Sequence, residues 1–119
     1  MSYDLYLNDP VTKEPIVFDT PHFMRGGTYC VSGDTEAHLN ITYNYSTILS
    51  QAMNEENGIR SLYGKTGAES IPILQDAIDK LADDVSTNYW DATEGNVKKA
   101  LFQLKALAEM RPDGVWDGD

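Results

Sequence analysis

The stretch Thr35-Glu-Ala-His-Leu-Asn-Ile-Thr-Tyr-Asn-Tyr-Ser46 contains the clearest strand pattern in the chain. Apolar and polar side chains alternate along it, which is typical of a β-strand with one buried face. The predicted inward face consists of Leu39, Ile41, Tyr43 and Tyr45. The predicted polar face consists of Glu36, His38, Asn40, Thr42 and Asn44. The alternation stops at Ser46, and a helical period follows it.

The residues before this strand also favour extended structure. Alternation over residues 2–7 predicts a first strand. A short apolar segment over residues 16–18 is limited by Pro21. A further strand is predicted over residues 23–31, with a bulge or kink at Gly26-Gly27.

Three helices are predicted after the strands. The first begins after Ser46, a candidate N-cap, and ends at Asn57-Gly58. Apolar residues at helical spacing predict a second helix near residues 70–82. The third begins with Asp91-Ala-Thr-Glu94, an acidic variant of the capping box, and ends at Arg111-Pro112. Its apolar stripe comprises Val97, Ala100, Leu101, Leu104, Leu107 and Ala108.

Strands therefore come first and helices afterwards, without regular βαβ alternation. This order predicts an α+β fold, with an antiparallel sheet of about three to four strands in the N-terminal half covered on one face by about three helices. The 119 residues fit a single domain over residues 1–119. No apolar run is long enough for a membrane-spanning helix, and the first ten residues contain no basic leader. We therefore expect a cytoplasmic protein, and its single cysteine, Cys30, fits a reducing compartment.

The charge balance is strongly acidic, with 19 acidic and 9 basic residues and a net charge of -10. Affinity for phosphate backbones depends mainly on Lys and Arg, so direct binding to nucleic acid is not expected. A macromolecular partner is expected to be basic, although acidity also serves solubility. The acidic pairs Glu55-Glu56 and Asp83-Asp84 are either solvated charges at helix ends or parts of an acidic binding surface.

Several metal-ligand residue types could converge if the predicted strands are neighbours. Asp4 lies on the polar face of the first strand, and His22 precedes the second. Zinc accepts imidazole nitrogen and carboxylate oxygen, so these residues and the polar face of the third strand could form a zinc site. The alternative is a polar strand face that is only solvated.

Cys30 provides a competing ligand set with His22 and His38, because zinc prefers a thiolate. Its neighbours suit a core strand, and a free cysteine is more often a small buried hydrophobe. Near the other end of the chain, Val115 and Trp116 would expose considerable apolar area if loose, so we expect them to dock on the body or on a partner.

Motifs along nearly the whole chain resemble a family of small acidic proteins from phages and prophages that includes anti-CRISPR inhibitors of the type II-A RNA-guided nuclease. They are Met1-Ser-Tyr-Asp-Leu-Tyr-Leu, Met24-Arg-Gly-Gly-Thr-Tyr29, Thr35-Glu-Ala-His-Leu-Asn-Ile-Thr-Tyr-Asn-Tyr-Ser46, Gly64-Lys-Thr-Gly-Ala-Glu-Ser70, Tyr89-Trp-Asp-Ala-Thr-Glu-Gly-Asn96 and Arg111-Pro-Asp-Gly-Val-Trp116.

The resemblance implies a structural metal in some members, with zinc as the expected ion. The positions that match the family pattern are His22, Glu36, Asn40 and Asp4, with His22 and Glu36 as the foremost ligands. Cys30 and His38 depart from the pattern, which disfavours a site centred on the cysteine.

The resemblance also implies a non-enzymatic inhibitor that binds the type II CRISPR effector nuclease of the infected or lysogenic bacterial host and blocks its use of target DNA. The charge agrees with the basic nucleic-acid channels of such effectors. Tyr63, Tyr89, Trp90 and Trp116, where exposed, are candidate anchors for the partner. The alternatives are a small zinc-dependent enzyme with Glu36 as the base, and a phage accessory or morphogenesis protein that acts by association.

Overall fold

The computed structural model describes residues 1–22 and 34–119. Strand β1 (Ser2–Asn8) forms the centre of a three-stranded antiparallel sheet, between β4 (His38–Thr42) and β5 (Val115–Gly118). The α+β fold class predicted from the sequence is confirmed. One strand of this sheet comes from the C-terminal end of the chain, however, and not from the N-terminal half as predicted.

The alternation along β1 separates two faces of the sheet. Tyr3, Leu5 and Leu7 are buried, whereas the residues between them are only partly buried. Since successive side chains of a strand point to opposite sides, one face packs into the core and the other stays accessible.

A second, two-stranded antiparallel sheet is formed by β2 (Val17–His22) and β3 (Asp34–Glu36). β2 continues through Pro21, which the sequence analysis expected to limit the extended segment. Proline lacks a backbone donor, and it is compatible with an edge strand. The strand predicted over residues 23–31 lies outside the described residues.

The long strand predicted up to Tyr45 is wrong in its last part. β4 ends at Thr42, and Tyr43–Tyr45 form a 3-10 helix. The Thr42 hydroxyl accepts a hydrogen bond of 3.2 Å from the backbone N–H of Asn44, and this local bond competes with strand pairing. Thr42 pairs with Ser2 in the sheet but is buried, and is not exposed on the polar face as predicted.

Helix α1 (Ser46–Met53) begins one residue before the predicted start and ends several residues before the predicted end. Tyr45 and not Ser46 occupies the N-cap position. The helix ends at Asn54, where a positive φ of 51° allows the Asn54 N–H to reach the carbonyl of Gln51. Asparagine tolerates this left-handed conformation better than most residues, so the helix stops before Asn57-Gly58.

Side-chain caps also set the starts of helices α2 (Gly67–Asp79) and α3 (Glu94–Met110). Thr66 and Glu69 form a reciprocal capping box, so α2 begins three residues before the predicted start at residue 70. Thr93 and not Asp91 caps α3, because its hydroxyl accepts the N–H of Asn96 at 3.1 Å. The predicted apolar stripe of α3 is fully buried.

The strands and helices share one apolar core. Trp116 is completely buried in it, and its indole N–H donates a 2.8 Å hydrogen bond to the Ser70 hydroxyl on α2. The expected docking of the C-terminal segment on the body is thus confirmed. Among the described residues, no helix is both long and apolar enough to cross a membrane.

Replacing Trp116 by Ala should lower the free energy of unfolding by about 3–5 kcal/mol, because it leaves a cavity between β1 and α2. Chemical denaturation measures this loss. Met110→Ala is the matched control, since Met110 is 54% exposed at the end of α3 and should change stability by less than about 0.5 kcal/mol. Equal effects of the two substitutions would contradict the central position of Trp116.

Candidate functional site

The accessible face of the three-stranded sheet carries a hydrogen-bonded network centred on Asp4. Antiparallel pairing places Asp4 opposite Asn40 and Tyr6 opposite His38. The Asp4 Oδ1 atom lies 3.0 Å from His38 Nε2 and accepts a 2.8 Å hydrogen bond from Asn40 Nδ2. The strand register therefore brings together Asp4 and Asn40, two of the four predicted metal ligands.

Two further side chains complete this polar network, which we define as Ser2, Asp4, Tyr6, His38 and Asn40. The Asn40 amide donates to the Ser2 hydroxyl at 2.7 Å. The Tyr6 ring stacks on the His38 imidazole, with centroids 4.5 Å apart and planes 13° apart. His38, which departs from the family pattern, thus lies within hydrogen-bond distance of a predicted ligand.

The other two predicted ligands lie on the two-stranded sheet. Glu36 is exposed on β3, where its backbone pairs with Val17. His22 ends β2, and its side chain, like Cys30, lies outside the described part. Among the side chains that the structure describes, no three from His, Cys, Asp or Glu are grouped closely enough to hold a metal ion.

The donors that are described fit a zinc site only in part. The Asp4–His38 pair offers one carboxylate and one imidazole, whereas a structural zinc ion needs four ligands. The zinc site predicted on His22, Glu36, Asn40 and Asp4 therefore stays a prediction that depends on the side chain of His22.

A cavity of about 390 Å³ opens beside the polar network. It is lined by Asp4, Tyr6, Asn8, Pro15, Asp117, Gly118 and Asp119. The Asp119 carboxylate accepts the backbone N–H of Asp4 at 2.9 Å, which joins β5 to β1 at this cavity. Three carboxylates line the cavity, so it is electrostatically suited to a positively charged group.

A second candidate surface is the α2–α3 connection, the fourteen residues 80–93 between the two helices. Connections this long without secondary structure are uncommon and often functional. The buried Asn96 of α3 holds this one in place: its Oδ1 accepts the Ser86 N–H at 3.1 Å, and its Nδ2 donates to the carbonyls of Asn88 and Asp91 at 3.2 and 3.0 Å.

The two carbonyls between Asn88 and Asp91 also accept bonds from side chains of the 3-10 helix. The Tyr45 hydroxyl donates to the carbonyl of Tyr89. The Asn44 amide donates to the carbonyl of Trp90 at 3.0 Å. Four successive carbonyl oxygens of the connection are therefore hydrogen-bonded by side chains from outside it.

The four candidate aromatic anchors differ in exposure. Trp116 is buried in the core, and Tyr63 and Tyr89 are partly buried. Trp90 is 47% exposed, and its ring lies 4.7 Å from that of Tyr89, tilted by 33°. We refer to Tyr89 and Trp90 as the aromatic pair.

Acidic side chains cap the backbone around the same connection. Glu94 Oε1 accepts the Ala82 N–H at 3.0 Å, and Asp84 Oδ1 accepts the Gly95 N–H at 3.2 Å. Asp83 pairs with the Lys98 ammonium at 2.8 Å. The carboxylates at Asp83-Asp84, predicted as helix-end charges, thus help to hold the connection and remain exposed.

The organising roles of Asn96 and Asn44 were not predicted from the sequence. Asn96 lies inside the α3 pattern, where a polar residue normally faces water, yet it is buried. The only hint in the sequence was that Asn96 is a polar residue next to the apolar stripe of α3. Comparisons with protein-family models, curated proteins and solved structures find no match to this chain.

The zinc prediction is tested by substitution and elemental analysis. His22→Ala and Glu36→Ala should each reduce bound zinc and lower the melting temperature, because an ion that joins strands stabilises a small core. Cys30→Ser should leave the zinc content unchanged. Purified protein without zinc, or zinc lost only in Cys30→Ser, would contradict this ligand assignment.

Alkaline unfolding tests the anchoring of the aromatic pair. Burial raises the pKa of Tyr45 to about 12, and a hydrogen bond with Asn96 opposes this effect. Because the pKa is higher in the folded than in the unfolded state, the contribution to stability is full below pH 10.0 and is lost as pH rises through about 12. Tyr45→Phe should therefore show a shallower loss of stability in this range.

Burial also raises the pKa of Tyr63 to about 12, so Tyr63→Phe tests the same effect at a second buried phenol. The stability of both single variants should fall less steeply with rising pH than that of the parent protein. A Tyr45→Phe protein with the parent's alkaline slope would show that the Tyr45 phenol ionises equally in both states.

Proposed function

We propose that the protein is a non-enzymatic inhibitor that binds a positively charged surface of the type II CRISPR effector nuclease in the cytoplasm of its bacterial host. The observation that carries the proposal is the pairing of basic side chains within the chain, which has many more acidic than basic residues. Four basic side chains already pair with carboxylates of the same chain: Lys80, Lys98, Lys105 and Arg111.

The chain as a whole carries a large excess of negative charge. The chain has 19 acidic and only 9 basic residues, and exposed carboxylates include the pair Glu55-Glu56. A field of this sign repels nucleic acid and attracts basic protein surfaces at long range. The protein is therefore suited to occupy a surface that would otherwise hold nucleic acid.

The choice of the effector as the partner comes from the resemblance of the sequence motifs. CRISPR effectors hold their guide and target in positively charged channels, so the partner has the charge that the surface of this protein requires. Binding there would block target DNA by occupancy. No chemical step by the inhibitor is needed for this outcome.

The test measures association with the purified effector ribonucleoprotein and cleavage of target DNA. Association should slow on the order of tenfold between about 0.05 M and about 0.5 M salt, because salt screens the attraction. Cleavage should fall as the protein is added. The charge-reversed variant Glu55→Lys/Glu56→Lys should associate more slowly, since steering depends on net charge.

Glu55→Gln/Glu56→Gln is the matched variant, with similar size and no charge, and should give an intermediate association rate. Unchanged melting temperatures confirm that these variants stay folded. Association that is independent of salt, or full cleavage with the protein in large excess, would show that the acidity serves only solubility.

A further inference from the structure

We infer that the aromatic pair Tyr89 and Trp90 is the contact through which the protein docks on its basic partner, with Trp90 receiving an arginine or lysine side chain. This inference rests on the proposed function for the class of partner. It adds the contact surface and the chemistry that is recognised there.

The Trp90 side chain is exposed, whereas hydrogen bonds hold the backbone of this residue in place. Trp90 is 47% exposed, whereas Trp116 is fully buried. The backbone N–H of Trp90 donates to the Asn88 side-chain oxygen at 3.1 Å. The backbone carbonyl of Trp90 accepts a hydrogen bond from the Asn44 amide at 3.0 Å. An aromatic side chain on a fixed backbone loses little conformational entropy when it binds.

The adjoining residues extend and orient this surface. The Tyr89 ring lies 4.7 Å from the Trp90 ring, and the Tyr89 carbonyl accepts the Tyr45 hydroxyl. Two adjacent rings offer more apolar area than a single exposed side chain. Aromatic residues of this kind are enriched among the contacts that contribute most to protein–protein affinity.

Charge decides which partner this surface fits. Asp91 follows Trp90 directly, Asp83 and Asp84 lie within the connection, and Glu94 follows its last residue, all of them exposed. A cation over an indole ring is attracted by the negative face of the ring, and the carboxylates of the connection add to this attraction. The same carboxylates repel phosphate, so a nucleic-acid strand is disfavoured as the occupant.

An equally exposed aromatic residue elsewhere has the opposite surroundings. Phe102 is also 47% exposed, on α3. The exposed Lys99 lies three residues before it on the helix surface, and Lys98 and Lys105, which pair with Asp83 and Glu109, lie four residues before it and three residues after it. The surroundings of Phe102 are thus more basic than those of Trp90, so Phe102 provides the matched control.

The experiment compares Trp90→Ala with Phe102→Ala in binding to the effector ribonucleoprotein and to an oligoarginine peptide. Trp90→Ala should weaken both on the order of 30-fold, the size expected for a residue that dominates an interface. Trp90→Phe should recover part of the loss. Phe102→Ala should stay within about twofold of the parent protein. Equal melting temperatures for Trp90→Ala and the parent exclude unfolding as the cause.

Comparing the binding of the two partners distinguishes failure of the inference from failure of the proposed function. Oligoarginine binding that depends on Trp90, without effector binding, would support the contact surface and overturn the proposed partner. Effector binding that is equal in Trp90→Ala and Phe102→Ala would support the function and overturn the inference. Absence of binding to both partners, or Trp90-dependent binding of a DNA or RNA oligonucleotide, would overturn both.

Discussion

The antiparallel pairing of β5 with β1 is the constraint on which the rest of the structure depends. It makes β1 a central strand and brings the Trp116 indole against Ser70 on α2. At Gly118 a side chain would collide with the carbonyl of Asp4, so the pairing requires glycine there. The same pairing places Asp117 and Asp119 beside Asp4, which creates the acidic cavity on the accessible face.

Local patterns predicted those parts of the fold that are determined by local interactions. The alternation in β1 and the apolar stripe of α3 follow directly from burial of one face, and both are confirmed. The end of β4 at Thr42 was not predicted, since a single side-chain-to-backbone bond there outweighs an alternation that continues for three more residues. β5 was missed as a strand because its four residues, rich in Asp and Gly, become a strand only by pairing with β1.

The same distinction applies to the candidate sites. The meeting of Asp4 and Asn40 was predictable, because alternation places both on the polar side of strands that pair. The fixed geometry of the α2–α3 connection was not, because it depends on Asn96 and Tyr45, which lie far from each other in sequence. Single side-chain-to-backbone hydrogen bonds leave no periodic pattern in a sequence, whereas helices and paired strands do.

The way in which the α2–α3 connection is held has a consequence for how its sequence can change. Asn96, Tyr45 and Asn44 bind its carbonyl oxygens, and every amino acid carries a carbonyl oxygen. The side chains at Tyr89 and Trp90 can therefore be exchanged without losing the bonds that fix their backbone. The connection is thus a sequence-tolerant display segment, in which recognition can diversify while the protein that supports it remains the same.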